Sequence, residues 1–455
     1  MAAKISKIWT DMVEVKYNGE ALPKINTLVE TKDSKAVLIV KKIIDEQTLY
    51  AVLIDAQNPI SIDEEVISHH KSFSVPVGQT SKGHIFDYSG KSLIDSTKKQ
   101  KYVEMDSTIV KNTNYEFKPE IIETGIKAID FFIPILKGSK IGIFGGAGVG
   151  KTVLMKEIIF NLQKTIEKTA SVFIGSGERS REAIELYDDL KASNLMDNSI
   201  MFISKMNESS GSRMSIVPIG VTASEYLRDQ EKENVLLFID NIFRFLQAGN
   251  EISTTLDKKP SLGGYQATLN SDISAIEDRL FANENGMITS FQTVFLPMDD
   301  LSDPSAVAVF NHLSGSLVLS RDVVAKNIFP AFNPLASTSA SITPSIIGEE
   351  HYQAILEAKK VLQRYKELED VILILGIEEL DEESRTTVQK ALQLQNFMSQ
   401  NFFMTEHFTH EKGAFVPLKE TVRSVRRILD GEFIHVNPNK FLYIASVEDL
   451  ITKTK

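Results

Sequence analysis

Apolar and polar positions alternate with a period of two near the start of the chain, in β-branched stretches such as KAVLIV (Lys35–Val40) and LYAVLI (Leu49–Ile54). Turn-forming breaks at NGE, KDSK and QNP separate these runs, which predicts a small all-β unit over residues 1–74. After VPVG (Val75–Gly78) the texture changes. Short apolar runs (KIGIF, SVFIG, IMFIS, VLLFID, MITSFQTVFL, SLVLS) now alternate with amphipathic segments of helix length. Such alternation predicts an α/β domain over 75–349 with a mostly parallel sheet covered on both faces. From about Glu349 the period becomes helical, with Ile355, Ala358, Val361, Leu362 and Tyr365 on one stripe. A second helical run, SRTTVQKALQLQNFM, follows the acidic stretch EELDEES, so 350–455 is predicted to be a helical domain.

Composition bounds the partners rather than the fold. The 455 residues suffice for two or three domains at roughly 150 residues each. With 42% apolar and 24% charged residues the chain reads as soluble and globular, and it contains neither low-complexity tracts nor fixed-period repeats. A formal charge of -11 argues against nucleic-acid binding through the net field and points to proteins or small anions met at a local site. Cysteine is absent, which removes disulfides and thiolate ligands and suits a reducing, cytoplasmic setting. The N-terminal MAAKISKIWTDMVEV has no continuous apolar run, and VILIL (Val371–Leu375) falls far short of the ~20 residues a membrane helix needs. Membrane association is therefore expected through partners alone.

Candidate chemistry begins at KIGIFGGAGVGKTVLMKEI. Gly145, Gly150, Lys151 and Thr152 match G-x-x-x-x-G-K-[ST], with a predicted strand before and a helix after. In such a loop (Gly145, Gly146, Ala147, Gly148, Val149, Gly150, then Lys151, Thr152 and Val153) successive backbone N–H groups turn inward toward phosphate oxygens. Lys151 is expected on the β- and γ-phosphates, and the Thr152 hydroxyl on Mg2+. The competing reading is a glycine-rich turn with a solvated lysine. NVLLFIDN then ends five consecutive apolar residues in Asp240, at a strand edge that faces the ligand crevice in open α/β sheets. Asp240 is either a magnesium ligand or the cap of the next helix. SVFIGSGERSREAIELY delivers Glu178 and Arg179 at another strand end. A carboxylate there can polarise a water that attacks the γ-phosphate, with Arg179 offsetting phosphate charge; taken alone, GERSRE is also an ordinary charged helix start.

Together with ETGIKAIDFFIPILKGSKIGIFGGAGVGKT, LLFIDNIFRFLQAGNEIS, GGYQATL, ITSFQTVFLPMDDLSDP and VPLKET, these segments make the chain resemble, from about Glu120 to Glu420, the catalytic β subunit of F-type rotary ATP synthases. The resemblance implies an N-terminal β-barrel, a RecA-like P-loop nucleotide domain and a C-terminal helical domain. It also implies a ring in which such chains alternate with α-like subunits around a γ-like central shaft. By that likeness Glu178 is the water-activating glutamate, where non-catalytic chains carry glutamine. Arg179 and Arg244 lie near the phosphates, and Glu182 near the magnesium's waters. Phe329, Phe402 and Phe408 match the aromatic adenine pocket for ATP or ADP, Phe329 replacing the usual tyrosine. An arginine finger is expected from the neighbouring α-like chain. Glu378, Glu379, Asp381, Glu382 and Glu383 match the acidic turn that pushes on the shaft, with Ser384 where the last acid usually stands.

The likeness weakens over the first hundred residues; Ala336 stands where the family usually has aspartate, and Ala340 and Leu356 replace arginines on the side that in the family faces nucleotide on the neighbouring chain. An intact catalytic set beside a drifted ancillary one, in a lysine-heavy chain, resembles divergent F-type-like ATPases of mycoplasmas linked to gliding or surface machinery. That favours hydrolysis-driven rotation in a complex held at the inner face of the cell membrane. A conventional synthase β subunit, a non-catalytic ring subunit, an RNA translocase of the Rho type and a protein-export ATPase are the competing readings.

Overall fold

The computed structural model describes residues 3–19, 21–94, 99–105, 119–256, 258–296 and 300–452. Glu20 of the NGE break and residues 297–299 of the ITSFQTVFLPMDDLSDP segment lie outside them. The chain divides into two compact units, Met1–Glu116 with Lys168–Phe295 and Asp300–His312, and Phe117–Glu167 with Leu296–Asp299 and Leu313–Lys455.

In the first unit the period-two stretches form a closed antiparallel barrel. Its strands are β1 (Ala3–Ile8), β2 (Met12–Lys16), β3 (Leu28–Thr31), β4 (Val37–Ile43), β5 (Thr48–Asp55) and β6 (Glu65–Lys71), in the order β1-β2-β5-β4-β3-β6. Closure comes from β1 pairing with β6, Ala3 opposite Val66, so neither edge is left open. Every second side chain points inward, and Ile5, Val13, Val15, Val29, Leu38, Val40, Leu49 and Ala51 fill the interior.

The same unit holds five parallel strands in the order Ile85–Phe86, Ser199–Lys205, Thr169–Glu178, Asn234–Asp240, Ile288–Phe295. Val235 to Ile239 are fully buried, as a strand covered on both faces requires. The helix Ser210–Asp229 packs on these strands and on β5, and its cap Ser209 donates to the Ile54 carbonyl at 2.6 Å.

In the second unit the strand Lys140–Gly145 pairs in parallel with Gly315–Val318, which takes Thr338–Ser339 antiparallel on its other side. Three longer helices follow, Glu349–Leu375, Glu382–Phe397 and Leu418–Leu429. The predicted stripe is present on the first of them. Ile355, Ala358 and Leu362 are buried, Val361 and Tyr365 sit half-buried at its border, and Ala354 and Leu368 extend it. Among the described residues no helix is long and apolar enough to cross a membrane.

Candidate functional site

The second unit carries the predicted phosphate cradle. Ile141, Ile143 and Phe144 anchor the strand Lys140–Gly145 in the core, and the chain then leaves the sheet through the glycine turn into the helix Lys151–Thr165. Gly150 caps that helix with φ 91° and ψ 21°, a left-handed conformation that costs an L side chain roughly 1–2 kcal/mol. Lys151 Nζ donates to the carbonyls of Gly145 and Gly146, each at 2.6 Å. Val149 is buried under the turn, while Ala147, Gly148, Thr152 and Val153 are exposed along its rim and Gly146 is buried.

Beside this turn lies a cavity of about 800 Å³ whose walls include Val149, Gly150, Val153, Phe329, Phe402 and Tyr443. Two of the three predicted aromatics are thus on the wall: Phe402 is 5% exposed and Phe329 41%. Phe408 is not, being 84% exposed on the short helix Glu406–Thr409. Tyr443 escaped the sequence reading. Its hydroxyl donates to the Asn327 carbonyl at 2.9 Å and its N–H to Ser399 Oγ at 2.8 Å, partners distant in sequence that no local pattern announces.

The acids gather in the first unit. Glu178 ends its strand at a bulge, where the register against Ser199–Lys205 slips between Ser176 and Glu178. Gly177 makes the bend with φ 67°, and a Cβ there would lie 3.3 Å from Arg244 Cβ and 3.4 Å from Arg213 Cδ. Burial raises the Glu178 carboxyl to about 9, with the negative charges of Asp240 and Glu182 adding to it and Arg244 opposing. Asp240 ends the neighbouring strand with Gly175 opposite, and accepts a short hydrogen bond from the Thr293 hydroxyl. It is not the helix cap: Asn241 is, its side chain accepting the Phe243 N–H at 3.0 Å. Arg244 Nη1 donates to Gln247 Oε1 at 2.8 Å on that same helix. Arg179 and Glu182 form an exposed pair at 3.5 Å.

No three acid or histidine side chains form a ready-made metal cage among the described residues. By donor chemistry alone, the carboxylates of Asp240 and Glu182 in the first unit, and separately the Thr152 hydroxyl in the second, are oxygen ligands of the kind Mg2+ takes, since that ion keeps several waters and binds through one or two carboxylates plus phosphate oxygens. The two carboxyls that raise Glu178, those of Asp240 and Glu182, leave negative charge there that a nearby cation would offset.

The acidic turn belongs to the second unit. Ile377–Glu379 is a short 3-10 turn, Leu380 is buried with Leu368 and Val388, and Glu378, Glu379, Asp381, Glu382 and Glu383 all face solvent. Asp381 has a structural duty there as well, capping the helix Glu382–Phe397 by accepting the Ser384 N–H at 2.8 Å and its hydroxyl at 2.9 Å.

Comparisons with known proteins agree with this geometry. Residues 125–339 match the ATP synthase alpha/beta family nucleotide-binding domain, and residues 340–436 match the C-terminal domain of V and A type ATP synthase. The chain is 48% identical over 450 residues to a protein named ATP synthase subunit beta 2 of Mycoplasmopsis pulmonis (strain UAB CTIP), covering 98% of this chain and 96% of that one. With a phosphate loop, strand-end acids and near-full-length identity in accord, the chain belongs to the ATP synthase alpha/beta family.

Proposed function

We propose that the chain is the catalytic subunit of a rotary ATPase that hydrolyses Mg-ATP and passes the free energy to a turning shaft. The observation that carries this reading is Glu178, lifted on the bulge behind Gly177 within reach of the Asp240 charge, in a chain whose relative is named a beta subunit.

In this reading the loop N–H groups and Lys151 hold the β- and γ-phosphates, and Phe329 and Phe402 stack the base. Stacking of this kind is worth roughly 1–3 kcal/mol per base. Thr152, Asp240 and Glu182 hold Mg2+ directly or through water. When bound, that ion neutralises the charge that develops on the phosphates. Glu178, in the ionised form that the opposing positive charge of Arg244 favours, orients a water for in-line attack and takes its proton as the new oxygen–phosphorus bond forms and the bond to the bridging oxygen of ADP breaks. Arg179 and Arg244 offset the charge of the transferring group. The residues divide the labour as 1–74, 75–349 and 350–455. An α-like neighbour adds an arginine finger, and the turn Glu378–Glu383 bears on a γ-like shaft in a complex peripheral to the inner face of the cell membrane.

The test is Mg-ATP hydrolysis by the intact purified complex carrying Glu178→Gln. We expect turnover to fall by about 10²–10⁴-fold, the usual contribution of a positioned acid–base group, while nucleotide still binds. Undiminished turnover would place catalysis in another chain. The name of the relative also admits a synthase working in reverse; ATP made by the reconstituted complex under a proton gradient would select that direction.

A further inference from the structure

The reaction just proposed leaves several buried acids unused, Glu157 among them. Glu157 lies on the helix Lys151–Thr165, six residues beyond the phosphate lysine, about 9 Å along the axis at 1.5 Å per residue. It is wholly buried, and burial raises its carboxyl above the usual carboxylate range against the pull of its donors. Those donors are the point. The Met404 N–H reaches Glu157 Oε2 at 3.0 Å, the Phe403 N–H is a second backbone partner, and Asn161 Nδ2 approaches Oε1 at 3.4 Å. Asn161 in turn donates to the Thr124 carbonyl at 2.8 Å.

The segment that Glu157 holds is the one that lines the cavity. Phe402 is on the wall, and Phe403 packs on Phe160 of the same helix with ring centroids 5.1 Å apart. Two residues earlier, Gln400 is pinned from the other side, donating to the carbonyls of Gly125 and Ala414 and accepting the Lys127 N–H. A carboxylate costs free energy to bury, and a leucine would fill the same volume; what only an acceptor of this reach supplies is a tether between a helix and a backbone nearly 250 residues away.

We propose that Glu157 is a positioning residue for nucleotide recognition, fixing the base-contacting segment Phe402–Met404 to the helix whose first turn holds the phosphates. Base and phosphate then meet a single rigid frame, and the adenine end contributes affinity without first ordering its own wall. The proposal rests on the nucleotide-site reading above and deepens it.

The experiment uses the full chain and two probes, ADP and inorganic tripolyphosphate, each with Mg2+, titrated calorimetrically. Wild type should bind both. Glu157→Ala should weaken ADP about tenfold, equivalent to about 1.4 kcal/mol, and leave tripolyphosphate unchanged. Glu157→Gln, whose amide oxygen can still accept the Met404 N–H, should recover part of the loss. Equal weakening of both probes would mean that Glu157 merely supports the helix, and unaltered ADP binding would mean that the tether is idle; either overturns the proposal. Should Glu157→Ala not fold, Glu157→Gln decides alone: a loss of about threefold for ADP only supports the tether, and any other pattern rejects it. Failure of wild type to bind either probe would instead remove the nucleotide-site reading, and this inference with it.

Discussion

At the scale of single residues, the strongest local constraints are buried ionisable groups on the helix Lys127–Phe132. Asp130 accepts the Thr124 N–H at 2.9 Å, the Thr124 hydroxyl at 2.7 Å and the Gly125 N–H at 2.8 Å, and burial still raises its carboxyl to about 7. Removing it orphans backbone donors, so Asp130→Ala should lower unfolding stability by about 3 kcal/mol, read from chemical denaturation midpoints. Lys127 donates to the carbonyls of Phe397 and Ile444, and burial lowers its amine from 10.5 to about 7. Between those values the native chain holds fewer protons here than the unfolded one, so this group's contribution to stability rises with pH through the window. Wild type should accordingly gain on Lys127→Met as denaturation is moved from pH ~7 to ~10. Neither residue stood out in the sequence: the partners of Lys127, Phe397 and Ile444, come 270 and 317 residues later, and although the donors to Asp130 are local, its burial depends on packing.

At the scale of elements, the strand–turn–helix around the glycine loop was legible because its causes are local. Continuous apolar residues need two covered faces, glycines permit the left-handed cap at Gly150, and the helix begins at Lys151. The bulge at Ser176–Glu178 was not legible, since it depends on the register of a neighbouring strand. Its consequence can be tested. Gly177→Ala forces a side chain into a positive φ beside Arg244, so it should cut turnover of the intact complex at least tenfold while leaving tripolyphosphate binding to the loop unchanged. The acidic turn combines both kinds of cause. Its charge pattern is plain in EELDEES, but the cap is seen only once the helix is placed. Asp381→Ala should cost about 1 kcal/mol of stability through lost capping, a shift visible in thermal melts.

For the whole molecule, the prediction concerns what one chain lacks. If an arginine finger comes from an α-like neighbour, the purified chain should hydrolyse Mg-ATP about 10³–10⁵-fold more slowly than the assembled complex, and adding the neighbour should restore the rate. Equal rates would show a self-sufficient site. The barrel, the parallel strands and the C-terminal helices were each expected from periodicity or resemblance, and each is present.

The sequence by itself determined the local grammar: which runs are strands, where the phosphate loop turns, which helix face is apolar, and which acids stand at strand ends. These depend on neighbours within a few residues, and the period of apolar positions records them. Tertiary structure decided which groups share a site. It set Tyr443 into the wall with Phe329 and Phe402 and left Phe408 in solvent. It gave the helix cap to Asn241 and left Asp240 with Thr293. It also brought Glu157 to the backbone of Phe402–Met404. Those pairings link positions far apart along the chain, and their free energy comes from burial and hydrogen bonding that exist only after the elements have packed.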